Sequence, residues 1–159
     1  MPVKVDTVRD FKEIVDEDYK DYKACHTNLR LAFHLALGLF HLRDWTFWHA
    51  SRADPNWSHK TINDYQAFLE KSCPHFGYMR DLANSVKHVE LDPNKKPSTQ
   101  MVGLANTEVR ATVLQPGAQP NVFQTRMMIV SETGPQQWTD FENAAVMQMW
   151  NNLFAANNW

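Results

Sequence analysis

The sequence has few of the residues that several large functional classes require. Its five glycines form no Walker loop or dinucleotide fingerprint, so no nucleotide cofactor is expected. Its two cysteines, Cys25 and Cys73, fit no metal or redox spacing, and separated thiols of this kind indicate a reduced, cytoplasmic protein. A membrane span needs about 20 apolar residues, but Arg30, Arg43 and Asp44 interrupt the longest apolar stretch. The N-terminus has no apolar segment typical of a signal peptide.

An excess of charge of one sign is also lacking. The net charge of -2 provides no basic face for tight duplex binding, although a small local RNA site stays open. Hydrophobic residues make up 43% of the chain and aromatic residues 12%, which is typical of a globular protein. A length of 159 residues predicts a single domain, residues 1–159, with a substantial core.

Residues 26–49 form the most apolar stretch and contain four of the seven histidines. At about 100° per residue, apolar side chains cover most of the circumference, which predicts a buried central helix. His26, His34 and His41 lie on one polar seam of this helix. They are either metal ligands, together with carboxylates of a neighbouring helix, or interior histidines that each bond to a carbonyl or carboxylate. The second interpretation is the simpler one.

Periodicity predicts the other elements. Apolar residues three or four apart indicate helices over 7–23, 60–72 and 75–90. Strict alternation at 109–113 and a second apolar run at 122–131 predict two strands that pair as an antiparallel hairpin. Thr139 and Glu142 have capping-box spacing before a closing helix. The predicted fold is α+β, mainly α: four or five helices in a bundle, with an antiparallel β hairpin inserted before the C-terminal helix. Its parts are a helical region at 7–90, the hairpin at 99–131 and the closing helix at 139–156.

An arginine and a histidine on the central helix match a known motif. Arg43 is followed by the polar Asp44 and, after five intervening residues, by His49. The helical part of the chain, over 8–90 and 139–156, resembles the HEPN family. That family's motif is an arginine, a polar residue and a histidine after four to six intervening positions. Its members are small helical bundles that often act as ribonucleases or nucleic-acid binders and often pair as dimers.

A second group lies on the predicted helix at 75–90. Arg80, Asn84 and His88 are four residues apart and share one face. They are similar to the ending found in some HEPN relatives, although seven intervening residues exceed the family's spacing. The face is either a solvated polar surface or a set of anion-binding donors. The candidate catalytic residues are therefore Arg80, Asn84, His88, Arg43 and His49.

Three functions stay open. The HEPN-like resemblance implies RNA binding or metal-free RNA cleavage in a homo-oligomer. A histidine would act as general acid or base, and an arginine would stabilise charge on phosphate. The second is a metal-binding bundle with His26, His34 and His41 as ligands. The third, and the simplest, is a non-catalytic interaction protein whose hairpin and aromatic residues Trp57, Trp138 and Trp159 contact a partner or a second copy.

Overall fold

The computed structural model describes the backbone at residues 5–26, 28–87, 108–113, 123–129 and 137–159, and side chains at 5–26, 28, 30–84 and 141–159. These segments contain five helices: α1 (Val8–Ala24), α2 (Leu29–Ala53), α3 (Ile62–Ser72), α4 (His75–Lys87) and α5 (Thr139–Asn157). The predicted helices are therefore confirmed, with small shifts at their ends, except that residues 88–90 of the helix predicted at 75–90 lie outside the described residues. Within the described segments, no helix has the length and apolar character needed to cross a bilayer.

Short polar side chains fix where the first three helices begin. Thr7 and Asp10 form a reciprocal capping box at the start of α1, and Thr61 and Asp64 do the same for α3. Asn28 caps α2, because its side-chain oxygen accepts hydrogen bonds from the backbone N–H groups of residues 30 and 31. The turn before Asn28 separates α1 from α2, so the two helices are not continuous.

Helix α2 is the centre of the bundle, as the sequence predicts. Its residues Leu35, Leu39 and Leu42 are completely buried, and α2 contacts the other four helices. The indole Nε1 of Trp150, on α5, donates a buried hydrogen bond of 2.9 Å to the carbonyl oxygen of Leu39. Burial of each such leucine contributes about 1.5–3 kcal/mol, so this helix supplies much of the stability of the bundle.

The predicted α+β fold class with an inserted hairpin is wrong. The part of the chain whose side chains are described contains no strand, and its buried residues all lie on helices or in the turns beside them. That part is a helical bundle. Between α4 and α5, the described backbone contains three strands, β1 (Glu108–Val113), β2 (Phe123–Ile129) and β3 (Gln137–Trp138). They pair antiparallel in the order β1-β2-β3, so the two predicted strands pair with each other within a sheet of three described strands and not as a hairpin of two.

Candidate functional site

Arg43 is held by a carboxylate rather than exposed for a ligand. Its Nε and Nη2 atoms donate to Oδ1 of Asp44 at 2.9 and 2.7 Å, and Nη1 donates to the side-chain oxygen of Gln66 on α3. The guanidinium also lies over the ring of Phe40, with 4.4 Å between Cζ and the ring centroid. With 14% of its side chain exposed, Arg43 has its charge balanced inside the protein.

Arg80 is held in the same way on α4. It donates from Nη1 to Oε1 of Glu70 at 2.5 Å and from Nε to Oδ1 of Asp81 at 2.8 Å. Gln66 donates to the same Glu70 oxygen at 2.9 Å, so the two candidate arginines belong to one network. We call this network the polar ladder; it links α2, α3 and α4 through Asp44, Arg43, Gln66, Glu70, Arg80 and Asp81. A phosphate group would have to compete with these carboxylates for either arginine.

Of the other predicted catalytic residues, the structure describes Asn84 and His49, and neither joins the ladder. Asn84 is partly buried on α4, and His88 lies outside the described residues. His49 is exposed, and its ring meets that of Trp159 edge-on with 6.2 Å between the centroids. The structure therefore unites the two candidate arginines in one network, to which His49 does not belong.

Two histidines of the polar seam contact separate carboxylates. His34 Nδ1 lies 2.9 Å from Oδ1 of Asp18 on α1, and His41 Nδ1 lies 3.1 Å from Oδ2 of Asp44. His26 precedes α2, in the turn after α1. Nowhere in the described part of the chain are three histidine, cysteine, aspartate or glutamate side chains grouped to hold a metal ion. The contacts of His34 and His41 match the interpretation in which each bonds to a carboxylate.

A pocket of about 580 Å³ lies between the start of α1 and the C-terminal half of α2. Six residues of α2 line it, and the spacing of three and four places four of them on one helix face: Trp45, Trp48, His49 and Arg52. Asp6 and Asp44 also line it. We call this site the Trp48 pocket. It brings an arginine and a histidine together, but the arginine is Arg52 and not Arg43.

The two tryptophans of the Trp48 pocket differ in what holds them. Trp45 stacks on Phe11 of α1, with centroids 5.1 Å apart and ring planes at 11°, so it forms a fixed wall. Trp48 is 55% exposed. Its ring faces the guanidinium of Arg52, with 5.9 Å from Cζ to the ring centroid. The pocket therefore presents a large exposed aromatic surface with a positive charge at its side.

The Trp48 pocket carries charge of both signs, because the carboxylate of Asp44 lines it together with Arg52. Burial raises the pKa of Asp44, but hydrogen bonds from His41 and Arg43 outweigh that effect and lower it below its ordinary value. Asp44 is therefore ionised at neutral pH and accepts hydrogen bonds only. Together with Arg52, it suits a ligand that carries a negative group and N–H donors.

A second titratable pair lies between α4 and α5. Glu142 is fully buried, and its Oε2 lies 2.8 Å from Nδ1 of the half-exposed His75. Burial raises the pKa of Glu142, an effect that its hydrogen bond with His75 only partly offsets. The adjacent Cys73 is buried too, and burial raises the pKa of its thiol, so it lacks the properties of an activated nucleophile. Glu142, predicted to cap its own helix, instead has its carboxylate bonded to His75 across the bundle.

Comparison with family models, curated proteins and solved structures finds no match for this chain. The HEPN-like resemblance therefore stays a prediction. The site residues that sequence reasoning missed are Trp45, Trp48 and Arg52. Their spacing on one helix face was visible in the sequence. A search for an arginine followed by a histidine pairs Arg52 with His59, a match that Pro55 interrupts, and does not pair it with His49, which comes three positions earlier.

Proposed function

We propose that this protein binds single-stranded RNA and that the Trp48 pocket holds one nucleotide. The observation that carries the proposal is the convergence of Trp48, His49 and Arg52 on one open pocket. Unstacked bases of single strands lie on aromatic rings and on guanidinium planes. Arginine is also a strong donor to phosphate oxygens, and the pocket's volume of about 580 Å³ is within the range of small-ligand sites.

Single-stranded RNA suits the charge of this protein better than a duplex does. Duplex binding depends on many phosphate contacts and on a basic face, whereas this chain has a net charge of -2. A single nucleotide needs only local contacts. Arg52 contacts its phosphate, Trp48 stacks on its base, and Asp6 and Asp44 accept hydrogen bonds from the N–H groups at the edge of the base.

The proposal agrees with the HEPN-like resemblance, which implies nucleic-acid binding in a homo-oligomer. Cys25 and Cys73 are free thiols, which suits a protein that meets RNA in the reducing cytoplasm. The homo-oligomer is a prediction from the resemblance, and the mass of the protein in solution, measured by light scattering, tests it.

The test is the fluorescence anisotropy of a labelled single-stranded oligoribonucleotide, compared with a duplex of the same length. We expect Trp48→Ala to weaken single-strand binding by about fivefold to 150-fold, because one stacked base is worth about 1–3 kcal/mol. We expect Arg52→Gln to reduce the slope of log K against log salt by about 0.7, the value for one lost phosphate contact on a single strand.

Two substitutions outside the pocket serve as matched controls. Phe141→Ala removes another exposed aromatic ring, which is 59% exposed on α5. Arg30→Gln removes an exposed arginine from the first turn of α2. Both should leave affinity and salt slope unchanged. The proposal is wrong if the wild-type protein does not bind the single strand at low salt, or if Phe141→Ala weakens binding as much as Trp48→Ala.

A protein–protein contact through the same pocket is the second candidate function. The exposure of Trp48 beside Arg52 favours it, because tryptophan and arginine dominate the binding energy of many interfaces. In that case the chain would be a non-catalytic interaction module. Self-association that Trp48→Ala abolishes, in a protein that does not bind RNA, would support this candidate over the first.

A further inference from the structure

A row of rings leads from the Trp48 pocket across the surface to α3. Successive ring centroids are 6.2, 6.3, 5.2 and 4.7 Å apart. We call this row the aromatic track; its members, in spatial order, are His49, Trp159, Trp57, His59 and Phe68. All five residues are at least partly exposed, and Phe68, at the far end, is 36% exposed.

Trp159 bridges the pocket and the rest of the aromatic track because α5 ends in a tight reversal. Asn158 adopts the left-handed conformation, with φ of 53°, and Trp159 N donates to the carbonyl oxygen of Phe154 at 3.2 Å. Arg9 of α1 then donates from Nη2 to the carbonyl oxygen of Trp159 at 2.7 Å. These bonds fix the Trp159 ring between His49 and Trp57.

The middle of the aromatic track is supported from beneath by Tyr65. This buried ring contacts Trp57 at 5.7 Å and stacks on Phe68 at 6.0 Å between centroids. Its hydroxyl donates to Oγ1 of Thr46 at 3.1 Å. Burial raises the pKa of Tyr65 to about 12, so the hydroxyl remains a donor at neutral pH. The exposed rings therefore rest on a fixed support and keep their spacing without a ligand.

Cations border the aromatic track, and the nearby acids already accept hydrogen bonds from backbone groups. Arg52 lies at the pocket end, and Lys60 is exposed beside Trp57, where its Nζ donates to the Trp57 carbonyl oxygen at 3.0 Å. Asp54 accepts a hydrogen bond from the backbone N–H of residue 56, and Asp64 accepts one from that of residue 61. Arg52 and Lys60 are therefore the cations that can meet a phosphate along the aromatic track.

We propose that the aromatic track binds further nucleotides, so that a single RNA strand starts in the Trp48 pocket and continues to Phe68. This inference rests on the proposed function and adds the length and path of the bound strand. Proteins that bind single strands combine a series of rings for successive bases with cations along the backbone. An apolar peptide fits less well, because two of the five rings are imidazoles and Lys60 borders them.

The experiment measures how affinity depends on strand length. Unlabelled oligouridylates of about two to eight nucleotides compete with a labelled longer strand for the full-length protein. We expect affinity to rise at least about tenfold between the shortest and longest strands, since added bases gain stacking partners. Phe68→Ala should remove much of that gain and leave the affinity of the dinucleotide unchanged, whereas Trp48→Ala should weaken every length.

A second variant and a folding check keep the outcomes distinct. His59→Ala removes the neighbouring ring of the aromatic track and should act like Phe68→Ala, while Phe141→Ala should have no effect at any length. Circular dichroism and thermal unfolding establish that each variant is folded. Equal affinity for all lengths, or equal weakening of short and long strands by Phe68→Ala, would overturn the track and leave the pocket proposal intact. No binding at any length would overturn both.

Discussion

Arg80 and Glu70 are joined by a hydrogen bond of 2.5 Å between Nη1 and Oε1. This bond connects α4 to α3, and Gln66 extends the connection to Arg43 on α2. Only 13% of the Arg80 side chain and 4% of the Asp81 side chain are exposed. The two arginines that the sequence offers as phosphate ligands therefore stabilise the packing of three helices.

Replacing Arg80 with methionine should destabilise the fold. The variant would leave the carboxylate of Asp81 buried without its arginine. We expect the free energy of unfolding to fall by about 3 kcal/mol, near the lower end for a broken buried pair because Glu70 is partly exposed. Urea unfolding followed by tryptophan fluorescence measures this. Lys20→Met, which breaks an exposed pair with Glu17, should leave the stability close to that of the wild type, because water and salt screen exposed ion pairs.

RNA binding by the same variant distinguishes a structural role from a role in ligand binding. At a temperature where Arg80→Met is folded, its affinity for a single strand should equal that of the wild type. If Arg80→Met had the stability of the wild type but no longer bound the single strand, the prediction would be contradicted and Arg80 would belong to the candidate site.

Glu142 and Asp44 should give the protein opposite responses to pH. Burial raises the pKa of Glu142 above its ordinary 4.5, so the folded state binds this proton more tightly than the unfolded chain does. Its contribution to stability therefore falls as pH rises from 4.5 through the folded pKa. The pKa of Asp44 lies below its ordinary 3.8, because hydrogen bonds from His41 and Arg43 outweigh the effect of burial. Its contribution is present above 3.8 and is lost as pH falls through the folded pKa.

Urea unfolding of Glu142→Gln, Asp44→Asn and the wild type between about pH 3 and pH 7 tests the direction of both pH dependences. Relative to Glu142→Gln, the wild type should lose stability as pH rises. Relative to Asp44→Asn, it should gain stability as pH rises. Each variant is the control for the other, because a general effect of pH on the fold would shift both differences in the same direction. Slopes of equal sign would contradict the assignments.

Local patterns were sufficient to predict the helices. The spacing of apolar residues at 7–23 and 60–72 gave α1 and α3 to within a few residues, and Thr61 caps α3 as a threonine before an apolar run should. The fold class failed because the part of the chain whose side chains are described is helical, whereas the alternation at 109–113 predicts only the conformation of a local segment. The two residues of β3 are too few to show any period.

The candidate site was harder to predict, because its decisive contacts cross between helices. Helical periodicity places Arg43 and Arg80 on faces of their own helices, but it does not show that Gln66 and Glu70 of α3 lie between them. The Trp48 pocket also depends on Asp6, which is distant from Trp48 in the sequence and reaches it only through the packing of α1 on α2. Residue spacing contains no information about such packing.

His49 is the candidate group for proton transfer if the protein cleaves the RNA that it binds. Cleavage through a 2′-hydroxyl needs one group to accept a proton and another to donate one. In the described part of the chain, the Trp48 pocket contains one imidazole, and Asp44, one of the two acids that line it, has a lowered pKa that makes it a poor proton donor. Arg43 and Arg80, the predicted phosphate ligands, are paired with carboxylates. We therefore expect the wild-type protein to leave a 5′-labelled oligoribonucleotide intact.

Gel electrophoresis of that oligoribonucleotide after incubation with the wild type and with His49→Ala measures cleavage directly. A product ending in a 2′,3′-cyclic phosphate, formed by the wild type and lost in His49→Ala, would contradict the expectation. It would also support the HEPN-like activity, with His49 as the catalytic base. His88→Ala is the comparison variant, because His88 belongs to the second predicted group. Loss of that product in both variants would mean that the two histidines act together, which would supply the second proton-transfer group that the Trp48 pocket lacks.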